Sequence, residues 1–341
     1  MKTKKVYMII LLVVAATVAG LFYKEDYNRN NPETLGPIVL RVAHTVNEET
    51  VLHKGLAYFE KEVEEMSNGR LDVQIFSNGV LGGDRQSLEA VSIGSLTATA
   101  PPSGILASFE PTFMVADLPF VFASRESAYK ALDNELGEVL SKSLERINIE
   151  CMSFTETGFR YITNNKNPIY TPEDLKGLKI RTMENPMHME SFRLWGANPT
   201  PMNFSELFTA LQQGTVDGQE NPAQVIWSSR FYEVQKYLSL TGHFFSSGSL
   251  AFNKTFFDNL PDDLREIIVT CAEDYKHYSR NLIIEMEDEY INVLQGYGME
   301  VNTLTPEQKQ VFAESAAPVY DTFRKTYENG DELIRLATMY N

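Results

Sequence analysis

Two arginines stand where alternating, apolar-flanked segments come to an end. In LKGLKIRTMENP, residues 175–186, Leu178 and Ile180 read as one face of a short strand, and Arg181 follows at once. Asn185 and Pro186 then stop the element. A guanidinium at the end of a buried strand needs an anionic partner, supplied by this chain or by something it binds. Arg160, in TETGFRYITNN, sits between Phe159 and Tyr161 of another alternating segment and so faces away from both. Taken singly, each arginine reads equally as half of a surface salt bridge, for which 46 acidic residues give ample partners. Two of them ending neighbouring strands at one cleft would instead form an anion site, because ligands of open α/β sheets bind at the carboxyl ends of strands.

A third element is LQQGTVDGQENP, where Asp217, Gln219, Glu220 and Asn221 cluster with two glycines and a proline. It reads as a hydrophilic turn, or as a set of short side chains for hydrogen bonds to ligand oxygens. His44 and His53 straddle a strand–helix junction in AHTVNEETVLHKG, with Glu48 and Glu49 between them. These residues could exchange protons, contact a ligand, or simply begin a helix, and catalysis is the least favoured of the three. The sequence has no nucleophile elbow, Walker loop, dinucleotide fingerprint, CxxC or HExxH pattern. No catalytic residue, metal site or cofactor is therefore expected.

The elements that must hold these residues are legible from periodicity. IVLRVAHT alternates as a strand, and HKGLAYFEKEVEEMSNG has helical spacing of Leu56, Phe59, Val63 and Met66. LDVQIFS is a second strand, and DRQSLEAVSIGSL a second helix with Asp84 as its expected N-cap. This β-α-β-α opening predicts an α/β domain with a parallel sheet. ECMSFTETGFRYITN and LKGLKIRT continue as strands, 187–197 and 204–214 as helices, and GSLAFNK as a strand returning to the first domain. From Pro261 an apolar stripe runs through Leu264, Ile268, Cys271, Tyr275, Leu282 and Met286 towards Leu294. Unbroken, such a helix would be about 50 Å long at 1.5 Å per residue, enough to brace two lobes; two helices joined at a kink are the alternative.

The 341 residues suit two domains, and 43% hydrophobic content suits real cores. A formal charge of −16 argues against nucleic acid as a partner. Lys2, Lys4 and Lys5 precede an apolar run, Val6 to Phe22, which reads as an export signal over 1–23, or else as an uncleaved anchor. Residues 24–37, rich in Asn and Pro, read as a linker. The body is then expected to be periplasmic or otherwise extracytoplasmic. Cys151 and Cys271 both lie in apolar contexts and read as free buried thiols.

Taken together, FSNGVLGGDRQSLEAVSIGSL, DLPFVF, DLKGLKIRTMENP, GANPTPMNFSELFTALQQGTVDGQENP and FYEVQKYLSLTGH resemble the solute-binding subunits of TRAP (tripartite ATP-independent periplasmic) transporters, the DctP family. The resemblance runs from about Ile38 to about Tyr327. It implies an α/β, periplasmic-binding-protein-like fold of two lobes, with a long helix spanning both and a hinge closure on the ligand. On this pattern 38–157 plus about 246–285 form lobe I, and 158–245 plus about 286–341 form lobe II with the C-terminal helices. The resemblance makes Arg181 the salt-bridge partner of a ligand carboxylate, which a planar guanidinium can grip through two parallel hydrogen bonds. It places Asn221 on the same carboxylate, Phe204 in the pocket lining, and Arg160 as a second polar contact. His44, Asp84 and a glutamate of the Glu48–Glu49 pair would take ligand hydroxyls. Glu184, Pro101 and Pro102 depart from the pattern of a sialic-acid-binding relative and argue against that ligand. TETGFRYITN and KIRTMENP look most like members that bind hexuronates such as D-glucuronate or D-galacturonate. Other sugar acids, C4-dicarboxylates and keto acids are the alternatives; a secreted sugar-acid enzyme and a sensory binding module are rivals of a different class. The implied partner is a separate membrane permease driven by an ion gradient, and most members act as monomers.

Overall fold

The computed structural model describes residues 36–327 and 329–341. The expected signal or anchor, and most of the expected linker, lie outside the described residues. Among the described residues no helix is long and apolar enough to cross a membrane.

Two sheets organise the chain. The first comprises β1 (Ile38–Ala43), β2 (Leu71–Phe76), β3 (Ala98–Thr99), β4 (Ile149–Phe159) and β10 (Phe245–Asn253), in the order β2-β1-β3-β10-β4. The second comprises β5 (Tyr161–Asn164), β6 (Lys179–Thr182), β7 (Asn198–Pro201), β8 (Gly218–Asn221), β9 (Tyr237–Leu240) and β11 (Glu300–Thr303), in the order β11-β9-β5-β8-β6-β7. β1 pairs in parallel with β2 and β3, as its βαβ connection requires. β10 runs antiparallel to both of its neighbours because it returns from the second sheet. The chain first crosses between sheets at Arg160, the one residue between β4 and β5. It crosses back at 241–244, and the Arg160 amide donates to Phe244 O at 2.9 Å, so the two crossings are tied together.

The helices that matter for the site are α1 (Val51–Met66), α2 (Asp84–Ser92), α3 (Arg125–Leu132), α4 (Glu135–Leu144), α5 (Pro186–Leu194), α6 (Phe204–Gln212), α7 (Ala223–Ser228), α8 (Asp262–Gly296), and the C-terminal α9 (Pro306–Ser315), α10 (Ala317–Thr326) and α11 (Gly330–Thr338). The apolar stripe from Pro261 becomes one uninterrupted helix of 35 residues, α8, and not two. Leu264, Ile268, Cys271, Ala272 and Tyr275 enter a core with α1, β1 and β2. Ile283, Tyr290 and Leu294 enter a second core with α6, α7 and β9. The helix therefore belongs to both lobes, and changes from one to the other between Tyr275 and Ile283. A polar knot sits at that change. Arg125 of α3 donates to both oxygens of Glu156 on β4, at 2.9 and 2.7 Å, and to Glu287 of α8. Tyr161 of β5 donates to Glu287 at 2.8 Å.

Three local expectations change. Asp84 is the first residue of α2 and Gly83 its N-cap. Asp84 keeps the favourable position for a carboxylate in a first helical turn. DGQENP is not a hydrophilic turn: Gly218–Asn221 is β8, a wholly buried strand between β5 and β6. Its polar side chains are satisfied inside, as when Gln219 Nε2 donates to Thr163 Oγ1 at 2.9 Å. The C-terminal helices do not all join lobe II. α9 is fixed there, with Trp195 Nε1 donating to Phe312 O at 3.0 Å, but α11 packs on α3 and α4 of lobe I. The chain end thus clasps both lobes.

The seam between α1 and α8 depends on Gly55. A Cβ there would lie 2.3 Å from Ser279 Oγ and 2.7 Å from Tyr275 Cε2. Gly55→Ala should lower unfolding stability by about 1–3 kcal/mol in urea titrations, with part recovered by adding Ser279→Ala.

Candidate functional site

A cleft of about 780 Å³ lies between the lobes. It collects six of the eight residues singled out from sequence: His44, Asp84, Arg160, Arg181, Phe204 and Asn221. Glu48 and Glu49 are not among its lining. The turn after β1 exposes both: the Asn47 side chain caps Glu49 N at 3.0 Å, and Glu48 Oε1 accepts from Ser77 Oγ at 3.1 Å on the outer face. No ligand hydroxyl is assigned to either.

Arg181 is delivered to the cleft by β6 and is only 3% exposed. Its Nε and Nη2 donate to Met202 O at 3.1 and 2.8 Å, so the backbone after β7 orients it. Of the partners the sequence left open, this chain supplies a carbonyl and not a carboxylate. No carboxylate lies within salt-bridge distance of it among the described residues. Burial lowers its pKa to about 10, with Arg160 pulling the same way and Glu220, Asp84 and Glu184 opposing, so it remains a cation at neutral pH. Phe204, first residue of α6, places its ring centroid 6.0 Å from the Arg181 guanidinium carbon.

Arg160 differs. Its guanidinium engages both carboxylate oxygens of Glu220, with Nη2 donating to Oε1 at 2.8 Å, to Glu220 O at 2.7 Å and to Asn221 Oδ1 at 3.2 Å. Glu220 also meets His243 Nε2 at 3.3 Å, and His243 Nδ1 meets Thr241 Oγ1 at 2.7 Å. Burial opposes the charge on Glu220, but Arg160 and His243 hold it well below the usual carboxylate range. Arg160 lines the cleft yet has most of its donors committed to this chain. Asn221 is positioned in turn, since its Nδ2 donates to Gln219 Oε1 at 2.5 Å. Sequence reasoning named Glu220 only within a supposed turn. Its pairing depends on the antiparallel β5–β8 register, in which Tyr161 opposes Asn221.

The facing wall comes from lobe I. Asp84 Oδ1 accepts from Thr45 Oγ1 at 2.8 Å, and burial raises its pKa to about 6 against the pull of Thr45 and Arg181. His44 Nε2 and His53 Nδ1 are 3.0 Å apart. Burial, and secondarily His53, lower the His44 pKa to about 4, so its ring is neutral at pH 7 and can donate or accept one hydrogen bond. Arg85, Glu184, Asn203 and Thr157 also line the cleft, as do apolar Leu52, Ile105, Met183, Met202 and Val225. No local pattern marked Arg85, just after a glycine pair, or Asn203, just before α6, because single polar residues at helix starts are ordinary in any sequence.

Two lobes flanking a cleft that holds a buried cation are the architecture of a solute-binding protein. Residues 42–326 match the family of bacterial extracellular solute-binding proteins, family 7 (DctP), and the chain belongs to that family, the binding subunits of TRAP transporters. A 2,3-diketo-L-gulonate-binding periplasmic protein of Escherichia coli is 34% identical over 297 residues, 87% of this chain and 90% of that one. A TRAP periplasmic solute-binding protein from a Polaromonas species, crystallised with D-erythronate, is 38% identical with a TM-score of 0.84, over 88% of this chain and 98% of that one. A Sulfitobacter TRAP protein with bound β-D-galacturonate is 31% identical with a TM-score of 0.86, over 89% and 100% respectively. The family serves transport, not catalysis.

Two outcomes test the electrostatics. Glu220→Ala strips Arg160 of its counter-charge and should cost about 3–5 kcal/mol of unfolding free energy, read as a lowered denaturation midpoint. Between pH 6.5 and 4, the unfolded chain protonates His44 while the folded ring stays neutral. Stability should therefore fall as pH drops through that window, by about 3 kcal/mol from this group. Asp84 contributes with opposite sign, since its raised pKa favours the folded state at low pH. The check is thus a difference: the stability of wild type relative to His44→Asn should shrink between pH 7 and pH 4.5.

Proposed function

We propose that this chain captures a small acid with one carboxylate and several hydroxyls, and that Arg181 grips the carboxylate. The observation that carries this reading is a guanidinium 3% exposed, held by a single carbonyl, facing the cleft without a carboxylate partner among the described residues. A buried cation of this kind is stabilised by a ligand anion. Arg160 and Asn221 complete the polar end; Asp84 and neutral His44 face the hydroxyls from the other lobe. The apolar wall fits the C–H face of the ligand. The ligands named for the three relatives all combine a carboxylate with hydroxyls, which supports a sugar acid, and a hexuronate such as D-glucuronate or D-galacturonate is the first candidate. The protein acts outside the cytoplasmic membrane as a monomer and hands its ligand to a TRAP permease.

Calorimetry with hexuronates, aldonates, succinate and pyruvate tests the class. Arg181→Ala should weaken binding about 100-fold or more, the loss of charge-assisted hydrogen bonds amounting to about 3 kcal/mol. Arg181→Lys should also bind poorly, because an ammonium cannot make the paired contact. Undiminished affinity in Arg181→Ala would rule out the anchor role.

A further inference from the structure

The cleft has a second arginine that is not committed to the buried network, and its surroundings bear on the charge of the ligand. This argument rests on the carboxylate-binding reading above and refines it. Arg85 lies on α2 in lobe I, and Glu184 lies just beyond β6 in lobe II; both line the cleft. Arg85 Nη1 is 3.6 Å from Glu184 Oε2, so the pair bridges the two walls. Arg85 Nε is also 3.3 Å from Glu89 Oε1, and its guanidinium carbon is 5.0 Å from the Phe109 ring centroid. One cation therefore faces two carboxylates, and this part of the rim has no positive charge to spare. Arg160 is neutralised by Glu220. Asp84 adds a further carboxylate to the lobe I wall. Arg181 is left as the cleft's uncompensated cation among the described lining residues.

We infer that Glu184, paired with Arg85 across the cleft, makes this protein select singly charged acids over dicarboxylates. A ligand anchored by its carboxylate on Arg181 would bring a second carboxylate towards a rim whose arginine is already claimed, and would meet the charge of Glu184. Like charges brought together at a half-exposed rim repel each other moderately, and specificity follows from that penalty as much as from attraction. Glu184 masks what would otherwise be a second anion-binding arginine.

The test uses open-chain pairs that differ by one carboxylate, D-galactonate and galactarate, D-gluconate and glucarate, D-erythronate and meso-tartrate, with D-galacturonate and D-glucuronate as further monoacids. Wild type should prefer the monoacid of whichever pair it binds by about tenfold or more in calorimetry. Glu184→Gln should narrow that preference about tenfold by gaining affinity for the diacid, and Arg85→Gln added to it should abolish the gain. The rim side chains are 41% and 43% exposed, so such substitutions should leave the thermal midpoint nearly unchanged. A wild type that binds the diacid as tightly, or a Glu184→Gln variant with an unaltered ratio, would overturn this inference while leaving the carboxylate anchor intact. Failure of wild type and variant to bind any member would overturn both.

Discussion

The rest of the structure depends on the cost of taking guanidinium groups out of water. Two arginines stand on one wall of the cleft, 2% and 3% exposed, and a buried cation needs compensation. Arg160 receives it from within, through Glu220, at the residue where the chain passes from one sheet to the other. The same carboxylate meets His243, which lies on the return crossing. One ion pair and the histidine that meets it thus tie the two crossings together. Arg181 receives only a carbonyl. The two arginines therefore differ in their compensation: Arg160 has a carboxylate of its own chain, and Arg181 has only a carbonyl.

Several elements tie the two lobes together. The long helix contributes to the cores of both, and the two strand crossings lie side by side. The Arg125–Glu156–Glu287–Tyr161 knot sits where the helix changes lobes. It is polar and hydrogen-bonded throughout, with the Glu156 side chain fully buried, and a satisfied network of this kind fixes the relative placement of the elements it joins. The C-terminal helices clasp both lobes on another part of the surface.

Charge counting links this scaffold to the choice of ligand. The cleft does not attract anions by a general positive field, since the chain carries a formal charge of −16. The uncompensated positive charge among the described lining residues is at Arg181, and on the wall opposite Arg85 is already faced by Glu89 and Glu184. His44 remains uncharged because burial lowers its pKa to about 4. An acidic protein can therefore be specific for acidic solutes, provided the anion fits where the cation is buried.

Sequence alone determined the elements and most of the site's membership. Period-two and period-3.6 patterns placed β1, α1, β2 and the 35-residue helix, because burial of one face leaves its mark on every second, or every third and fourth, residue. Ordered motifs pointed to the family, and the residues they singled out, Arg181, Asn221, Phe204, Arg160, Asp84 and His44, all line one cleft, whereas Arg85 and Asn203 were not marked and Glu48 and Glu49 lie outside it. Tertiary structure decided what periodicity cannot express. DGQENP, polar at every position that matters, is a buried central strand because its neighbours supply the hydrogen bonds; no local signal distinguishes it from a turn. Glu48 and Glu49 share a loop with a cleft residue yet point outward, since a one-turn cap at Asn47 sets their direction. The Arg160–Glu220 and Arg85–Glu184 pairs join residues 60 and about 100 positions apart. Which charge is spent on the fold and which is left for a ligand depends on distances between such residues, and those distances exist only once the chain has folded.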